Sequence, residues 1–212
     1  MMKKTLLASA IASVLALSAC TDNKPAAEQQ TPAPAVAATQ GADATMANPL
    51  LTVSPLQYQA PQFDLIKVEH YLPAMEAGIT ENAAEIETIA NNTEAATFDN
   101  TIVALEKSGA LLDRATSVFF NMTGTISNPE ILKIQATMAP KLAAHGDNIS
   151  LNPKLFARVK AIYDTRKELK LDSEALRLVE VTYERFVRAG ALLNDEQKTT
   201  IRALNEEHSK LA

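Results

Sequence analysis

The chain has 212 residues, of which 47% are hydrophobic and 5% aromatic, and its formal net charge is −5. This acidic balance without clustered lysine or arginine argues against nucleic acid as a partner and against charge-driven binding to an anionic membrane. Only six glycines and no tryptophan occur, and this composition favours helix over sheet. A single cysteine, Cys20, excludes an internal disulfide.

Residues 1–20 have the three parts of a secretory signal. Lys3 and Lys4 supply the positive start, and an uncharged apolar stretch follows that is shorter than the roughly 20 residues needed to span a bilayer. The stretch ends in a tetrapeptide that resembles the lipobox of bacterial lipoproteins, Leu17-Ser18-Ala19-Cys20. This predicts that Cys20 is the lipid-acceptor residue; the alternative is an ordinary signal with an incidental cysteine.

The residue after the cysteine is Thr21 rather than aspartate. By resemblance to Gram-negative sorting rules, this favours the outer membrane, so the predicted location is lipid-anchored at the periplasmic face. Residues 21–48 are mostly Ala, Pro, Gln, Thr and Asp with few large apolar side chains. Such a segment buries too little surface to offset its conformational entropy, which predicts a disordered tether.

Residues 49–212 are predicted to form one helical domain. Pro55 and Pro61 indicate an extended arm over residues 49–64. A first helix is predicted to start near Pro73, where a proline in the first turn costs no hydrogen bond, and to stop around Asn91-Asn92.

The strongest periodic pattern predicts one continuous second helix of about seven turns. Apolar and small residues recur along it at steps of three and four: Phe98, Ile102, Leu105, Gly109, Leu112, Thr116, Phe119 and Met122. Gly109 on this stripe predicts a place where a neighbouring helix approaches closely.

Start signals mark four further helices. Asn128-Pro129 and Asn152-Pro153 each place an N-cap before a proline, Asp172 can cap the next helix, and Asn194 with Gln197 resembles a capping box. Pro140 is predicted to kink or end its helix. The corresponding stripes are Ile131, Ile134 and Met138; Leu155, Val159, Ile162 and Leu169; Leu176, Val179, Tyr183, Phe186 and Gly190; and Ile201, Leu204, His208 and Leu211. The fold class predicted is all-α, with five to six helices packed antiparallel.

Motifs for catalysis are missing from the chain. His70, His145 and His208 are not spaced as a zinc pair, and neither a His-Glu-x-x-His helix nor a P-loop nor a Gly-x-Ser-x-Gly turn occurs. We therefore expect no catalytic residue and no metal ligand here. Phe119 and Phe120 are expected to be core rather than a ligand cradle.

Several short sequence segments nevertheless resemble the N-terminal region of the peptidyl-dipeptidases, or dipeptidyl carboxypeptidases, of the thimet oligopeptidase family of zinc peptidases. In chain order they are Asn48-Pro49-Leu50-Leu51, Ala60-Pro61-Gln62-Phe63-Asp64, His70-Tyr71-Leu72-Pro73-Ala74, Asp99-Asn100-Thr101-Ile102-Val103-Ala104-Leu105-Glu106-Lys107-Ser108-Gly109, Val118-Phe119-Phe120-Asn121-Met122, Leu155-Phe156-Ala157-Arg158-Val159, Leu176-Arg177-Leu178-Val179-Glu180 and Arg185-Phe186-Val187-Arg188-Ala189-Gly190-Ala191.

The resemblance implies an almost wholly helical enzyme whose two halves face each other across a channel. It implies a zinc ion, held in a His-Glu-x-x-His helix with a further glutamate, that activates water to release C-terminal dipeptides from short unfolded peptides. The zinc helix lies far downstream in the family, so this chain is expected to be a fragment or the product of a truncated gene, to bind no zinc and to be inactive alone. The alternative is a non-catalytic, lipid-anchored module that binds peptides or a protein through exposed helix faces, such as the region of Phe119 and Phe120.

Overall fold

The computed structural model describes residues 48–211, and in this range it is helical without a strand. The helices are α1 (Val68–Ala90), α2 (Ala104–Lys107), α3 (Ala110–Thr125), α4 (Pro129–Ser150), α5 (Pro153–Thr165), α6 (Ser173–Ala189) and α7 (Asp195–Ser209). Six of them are longer than one turn, so the predicted all-α class is confirmed. None of the helices in the described range is long and apolar enough to cross a membrane. The predicted signal peptide, Cys20 and most of the predicted tether lie outside the described residues.

Each predicted N-cap is present, because a short polar side chain accepts hydrogen bonds from free amides of the first helical turn. Asn128 accepts from the amide of Ile131 at 2.9 Å, and Asn152 accepts from Lys154 and Leu155. The remaining two predicted caps bond in the same way, Asp172 to Ala175 at 2.8 Å and Asn194 to Gln197 at 2.9 Å, the latter with the reciprocal bond of a capping box.

The prediction that the first helix starts near Pro73 was wrong, and of the two outcomes predicted at Pro140, a kink or an end of the helix, the end does not occur. Helix α1 begins at Val68, and Pro73 lies inside it; helix α4 runs through Pro140 to Ser150. Each proline removes one helical donor, which leaves the carbonyl four residues earlier without its partner. Those carbonyls belong to Glu69 and Ala136, which are exposed, so water can satisfy them.

The prediction of one continuous helix over residues 98–122 was also wrong. A π-helical turn, Phe98–Val103, leads into α2, and the chain then breaks before α3. The break occurs because Gly109 has a left-handed backbone with φ of +80°, and its amide donates to Oε2 of Glu85 at 2.7 Å instead of continuing the helix. Helix α3 restarts out of phase, so its buried face is Leu111, Ala115, Val118 and Phe119.

The close helix approach lies at Gly78 of α1 rather than at Gly109. A Cβ atom at position 78 would be 2.7 Å from the Cα of Leu112 in α3. Glycine therefore lets the two backbones touch, whereas at Gly109 the requirement is the left-handed conformation.

Two boundaries differ from expectation in smaller ways. The arm over residues 49–64 is not uniformly extended, because Pro49–Leu51 and Gln57–Gln59 form 3₁₀ turns. Helix α5 ends at Thr165, so Leu169 is not on its stripe and is 39% exposed.

The core consists of two hydrophobic clusters that share helix α1. The N-terminal half of α1 packs with α3, α4 and the buried Leu50, around Phe119 and Met75. The C-terminal half packs with the π-helical turn, α5 and α6, around Leu155 and Val179. Helix α1 is therefore the element that connects the two halves of the domain.

Helix α7 packs against α4, and two hydrogen bonds between polar side chains join the two helices. Asn205 donates to Oδ1 of the buried Asp147 at 2.8 Å, and Arg202 donates to Asn148 at 2.9 Å. The predicted apolar stripe is largely turned away from this contact, since Leu204 is 58% and Leu211 82% exposed. None of the residues of α7 is buried.

Candidate functional site

The three histidines lie on three different helices, α1, α4 and α7. His70 is buried, and its Nδ1 accepts the amide of Lys67 at 3.0 Å, which fixes the start of α1. His208 is exposed on α7. Among residues 48–211, no three His, Cys, Asp or Glu side chains come close enough to hold a metal ion.

His145 belongs to a hydrogen-bonded chain that joins three elements. Its Nε2 lies 2.8 Å from Oδ1 of Asn82, whose Nδ2 donates to Glu85 at 3.2 Å; the same Glu85 oxygen accepts the amide of Gly109. Because Asn82 donates to Glu85 through its amide nitrogen, its oxygen faces His145, so the imidazole carries its proton on Nε2. Burial lowers the pKa of His145, which favours this neutral form.

Phe119 and Phe120 have different environments. Phe119 is fully buried and makes edge-to-face contacts with Tyr71 at 5.2 Å and with Phe120 at 5.3 Å between ring centroids. Phe120 itself is 43% exposed. The expectation of a core role was therefore correct for Phe119 and wrong for Phe120.

A groove follows the contact between α1 and α4, and we call it the α1–α4 groove. It consists of three concavities of about 470, 480 and 440 Å³, taken from the start of α1 towards its end, and the third also borders Lys154 of α5 and Arg202 of α7. The second and third share Ala83, His145 and Asn148. Each has the volume of an ordinary small-ligand cleft, which is about 300 to 1,000 Å³.

Charge varies along the α1–α4 groove. Glu69, Glu130 and Lys133 line the first concavity. An ion pair between Lys141 and Glu76 crosses the second, with both side chains roughly half exposed. The third is lined by Glu87, Lys154 and Arg202 beside the asparagines at positions 148 and 152. These side chains can hold a polar chain molecule by hydrogen bonds and charge, and they offer no nucleophile paired with a base.

Sequence reasoning missed a buried arginine, Arg158. Its guanidinium donates to the carbonyls of Asn92 and Glu94 at 2.8 and 2.9 Å, to Oδ1 of Asn100 at 2.8 Å and to Thr101 at 3.2 Å. It thereby ties α5 to the loop that precedes the π-helical turn. The signal was present, because Arg158 lies on the buried face of α5 between Leu155 and Ile162, where a charge needs internal partners.

Comparison with curated proteins gives two close matches. The chain is 49% identical over 164 residues to a protein named dipeptidyl carboxypeptidase from Salmonella typhimurium, which is 77% of this chain and 24% of that protein. It is 47% identical over 167 residues to the protein of the same name from Escherichia coli K12, covering 79% of this chain and 24% of that one. This chain is homologous to the dipeptidyl carboxypeptidases. The resemblance predicted from the sequence phrases is therefore confirmed.

The chain spans about a quarter of the length of these two dipeptidyl carboxypeptidases. No protein-family model matches it. The homology therefore concerns a domain that corresponds to part of a longer peptidase, and the residues of the α1–α4 groove belong to that part.

Proposed function

We propose that residues 49–212 form the N-terminal helical part of a zinc-dependent peptidyl-dipeptidase, which releases dipeptides from the C-termini of short unfolded peptides. The observation that carries this proposal is the 49% identity to a dipeptidyl carboxypeptidase over 164 residues. In this role the domain supplies walls that position peptides, with the α1–α4 groove as its surface suited to them.

The described residues do not fit zinc. His70 and His145 are buried and each already holds a hydrogen-bond partner, and no group of three ligands occurs among residues 48–211. A zinc site needs at least three protein ligands around one point. The metal and the bond-breaking step of the proposed enzyme therefore belong to residues outside the described range, and we derive no catalytic step from this domain.

The direct test is to sequence the gene for several hundred codons past Ala212. An in-frame continuation that encodes His-Glu-x-x-His supports the proposal. A stop codon confirmed in the transcript contradicts it and favours the binding module considered below.

A second test uses the 212-residue protein itself. We expect no stoichiometric zinc by mass spectrometry and no dipeptide release from a short peptide. Zinc bound at one equivalent together with peptidase activity would refute our assignment of the chemistry to another part of the enzyme.

We also propose that the protein is anchored by a lipid on Cys20 at the periplasmic face of the outer membrane. The support is the lipobox-like tetrapeptide and Thr21 after it. In a bacterial host, the wild-type chain should incorporate labelled fatty acid and sediment with outer membranes. Cys20→Ser should abolish labelling and release the chain, whereas continued labelling of that variant would exclude this site.

The second candidate function is a non-catalytic, lipid-anchored module that binds peptides or a protein. The α1–α4 groove favours it, because its concavities and mixed charges suit a polar chain molecule without any catalytic group. Titration of the 212-residue chain with short peptides, followed by amide chemical shifts, tests it. Shifts along α1 and α4 support binding at the groove, and the absence of shifts excludes it.

A further inference from the structure

An exposed loop is fastened to the domain at both of its ends; we call residues 51–65 the N-terminal loop. Before the loop, the side chain of Asn48 donates to the carbonyl of His70 at 2.7 Å, and Arg114 donates to the carbonyl of Leu50 at 3.0 Å. After it, the amide of Lys67 donates to His70. Both ends thus meet at the start of α1, in the manner of an Ω-loop, a loop type that is frequently functional.

The N-terminal loop is apolar and yet exposed. Six large hydrophobic side chains in these fifteen residues are between 39% and 92% exposed, namely Leu51, Val53, Leu56, Tyr58, Phe63 and Leu65. Its single charged residue is Asp64. Clustered exposed apolar side chains, unlike scattered ones, indicate an interaction site. The neighbouring Leu50 is fully buried, so the change from packed to exposed happens within one residue.

The tip of the loop holds an unfavourable backbone conformation. Tyr58 and Gln59 have φ of +57° and +56°, the left-handed region that non-glycine residues rarely adopt. A 3₁₀ turn closed by the bond from the Gln59 amide to the Leu56 carbonyl, at 2.9 Å, presents Tyr58 with its side chain 92% exposed. Strained residues of this kind recur at ligand clamps and binding loops.

We propose that the N-terminal loop is a docking element for the remaining part of the longer peptidase, with Tyr58 and Phe63 inserted into an apolar surface of that part. The inference rests on the proposed function. The lengths of the relatives support it, because about three quarters of each relative has no counterpart in this chain and could supply the docking surface. It is also supported by chemistry, because an aromatic, nearly uncharged loop matches the buried centre of a protein interface.

A membrane is the competing surface for such a loop. Loops and helices that bind anionic lipid combine apolar side chains with lysine or arginine. The N-terminal loop has no lysine and no arginine, and its one charged residue, Asp64, is negative. The composition therefore favours a protein surface.

The test compares the 212-residue chain with a chimaera in which it replaces the matched quarter of the Salmonella relative. Amide hydrogen exchange is measured over residues 52–65 in both. We expect exchange at least about tenfold slower in the chimaera, because docking removes the loop from solvent. Tyr58→Ser with Phe63→Ser should abolish this protection, whereas the matched control Ile126→Ser with Leu132→Ser, also exposed, should retain it.

The outcomes separate the two proposals. A chimaera that releases dipeptides but leaves the loop unprotected overturns the docking proposal alone. A protected loop without peptidase activity supports docking and contradicts the proposed function. Protection by phospholipid vesicles, or protection that rises with the concentration of the chain alone, overturns the docking proposal in favour of a membrane or a second copy. Titration of the chain with the separately produced remaining part gives the same readout when the chimaera does not fold.

Discussion

Helices α6 and α7 have the same kind of sequence pattern and are held in opposite ways. The stripe of α6 enters the core, where Val179 is fully buried and Phe186 is stacked on Phe156 with ring centroids 6.0 Å apart. The stripe of α7 is mostly exposed, and the helix is held through the polar contacts of Arg202 and Asn205 with α4.

The difference shows that apolar periodicity predicts a helix more reliably than it predicts which face is covered. The covered face depends on what the neighbour offers. Helix α4 offers α7 the carboxylate of Asp147 and the amide of Asn148, so polar residues of α7 face it. Substitutions in α5 and α6 are therefore compared with matched substitutions in α7 where the chain offers a pair, from the largest expected effect to the smallest.

The largest effect is expected for Phe186→Ala in α6. Removing a buried phenyl ring leaves a cavity, which costs roughly 3–5 kcal/mol of unfolding free energy. The matched change Leu204→Ala in α7 should stay within about 0.5 kcal/mol, since that side chain is more than half exposed. Urea unfolding of both variants measures this, and equal losses would show that the two helices are held alike.

A smaller loss is expected for Arg158→Ala in α5. The change leaves the carbonyls of Asn92 and Glu94 without the guanidinium donor and removes one of the three donors to the amide oxygen of Asn100, at a cost of about 2–4 kcal/mol. Arg202→Ala removes one exposed hydrogen bond to Asn148 and should cost less than about 1 kcal/mol. Thermal unfolding of the pair tests this, and a larger loss for Arg202 would contradict it.

Lowering the pH should reduce the free energy of unfolding through His145 in α4. Burial lowers the pKa of His145 in the folded chain, so the unfolded chain binds a proton more readily. Stability that is present above about pH 6.5, the ordinary histidine pKa, should therefore fall as the pH drops towards the lowered folded-state pKa. His145→Gln cannot titrate, and its unfolding free energy should depend less steeply on pH over that range. Parallel pH profiles of the two proteins would refute this role.

The smallest effect, and one of opposite sign, is expected for Thr182→Val in α6. The hydroxyl of Thr182 is the one buried side-chain polar atom without a hydrogen-bond partner among residues 48–211. Its removal should be neutral or stabilise the fold by up to about 1 kcal/mol. Thr101→Val should instead destabilise the protein, because that buried hydroxyl bonds to both Arg158 and Asn100. Calorimetric unfolding distinguishes the two variants, and a clear loss of stability for Thr182→Val would contradict the prediction.

Much of the local structure could be predicted from the sequence because its causes are local. Asn128, Asn152, Asp172 and Asn194 start helices through bonds to amides two or three residues away. The break at Gly109 could not be predicted in this way. It depends on Glu85, which is 24 residues distant and accepts the glycine amide.

The candidate site shows the same division. The second concavity of the α1–α4 groove combines residues of two helices that are 65 positions apart in the chain, Glu76 and Lys141. The spacing of one helix contains no signal for such a pair. Arg158 was a nearer miss, since its position between apolar residues of one stripe indicated a charge with internal partners.

The sequence by itself determined the all-α class, the starts of helices α4 to α7 and the relationship to the dipeptidyl carboxypeptidases, because capping bonds, helical periodicity and short matching segments are all properties of short stretches. Only the tertiary structure decided that α1 and α3 approach closely at Gly78, that α7 presents Leu204 outward, and that the N-terminal loop is exposed while Leu50 beside it is buried. These features depend on which distant surfaces meet, and the free energy of such contacts is absent from any local pattern.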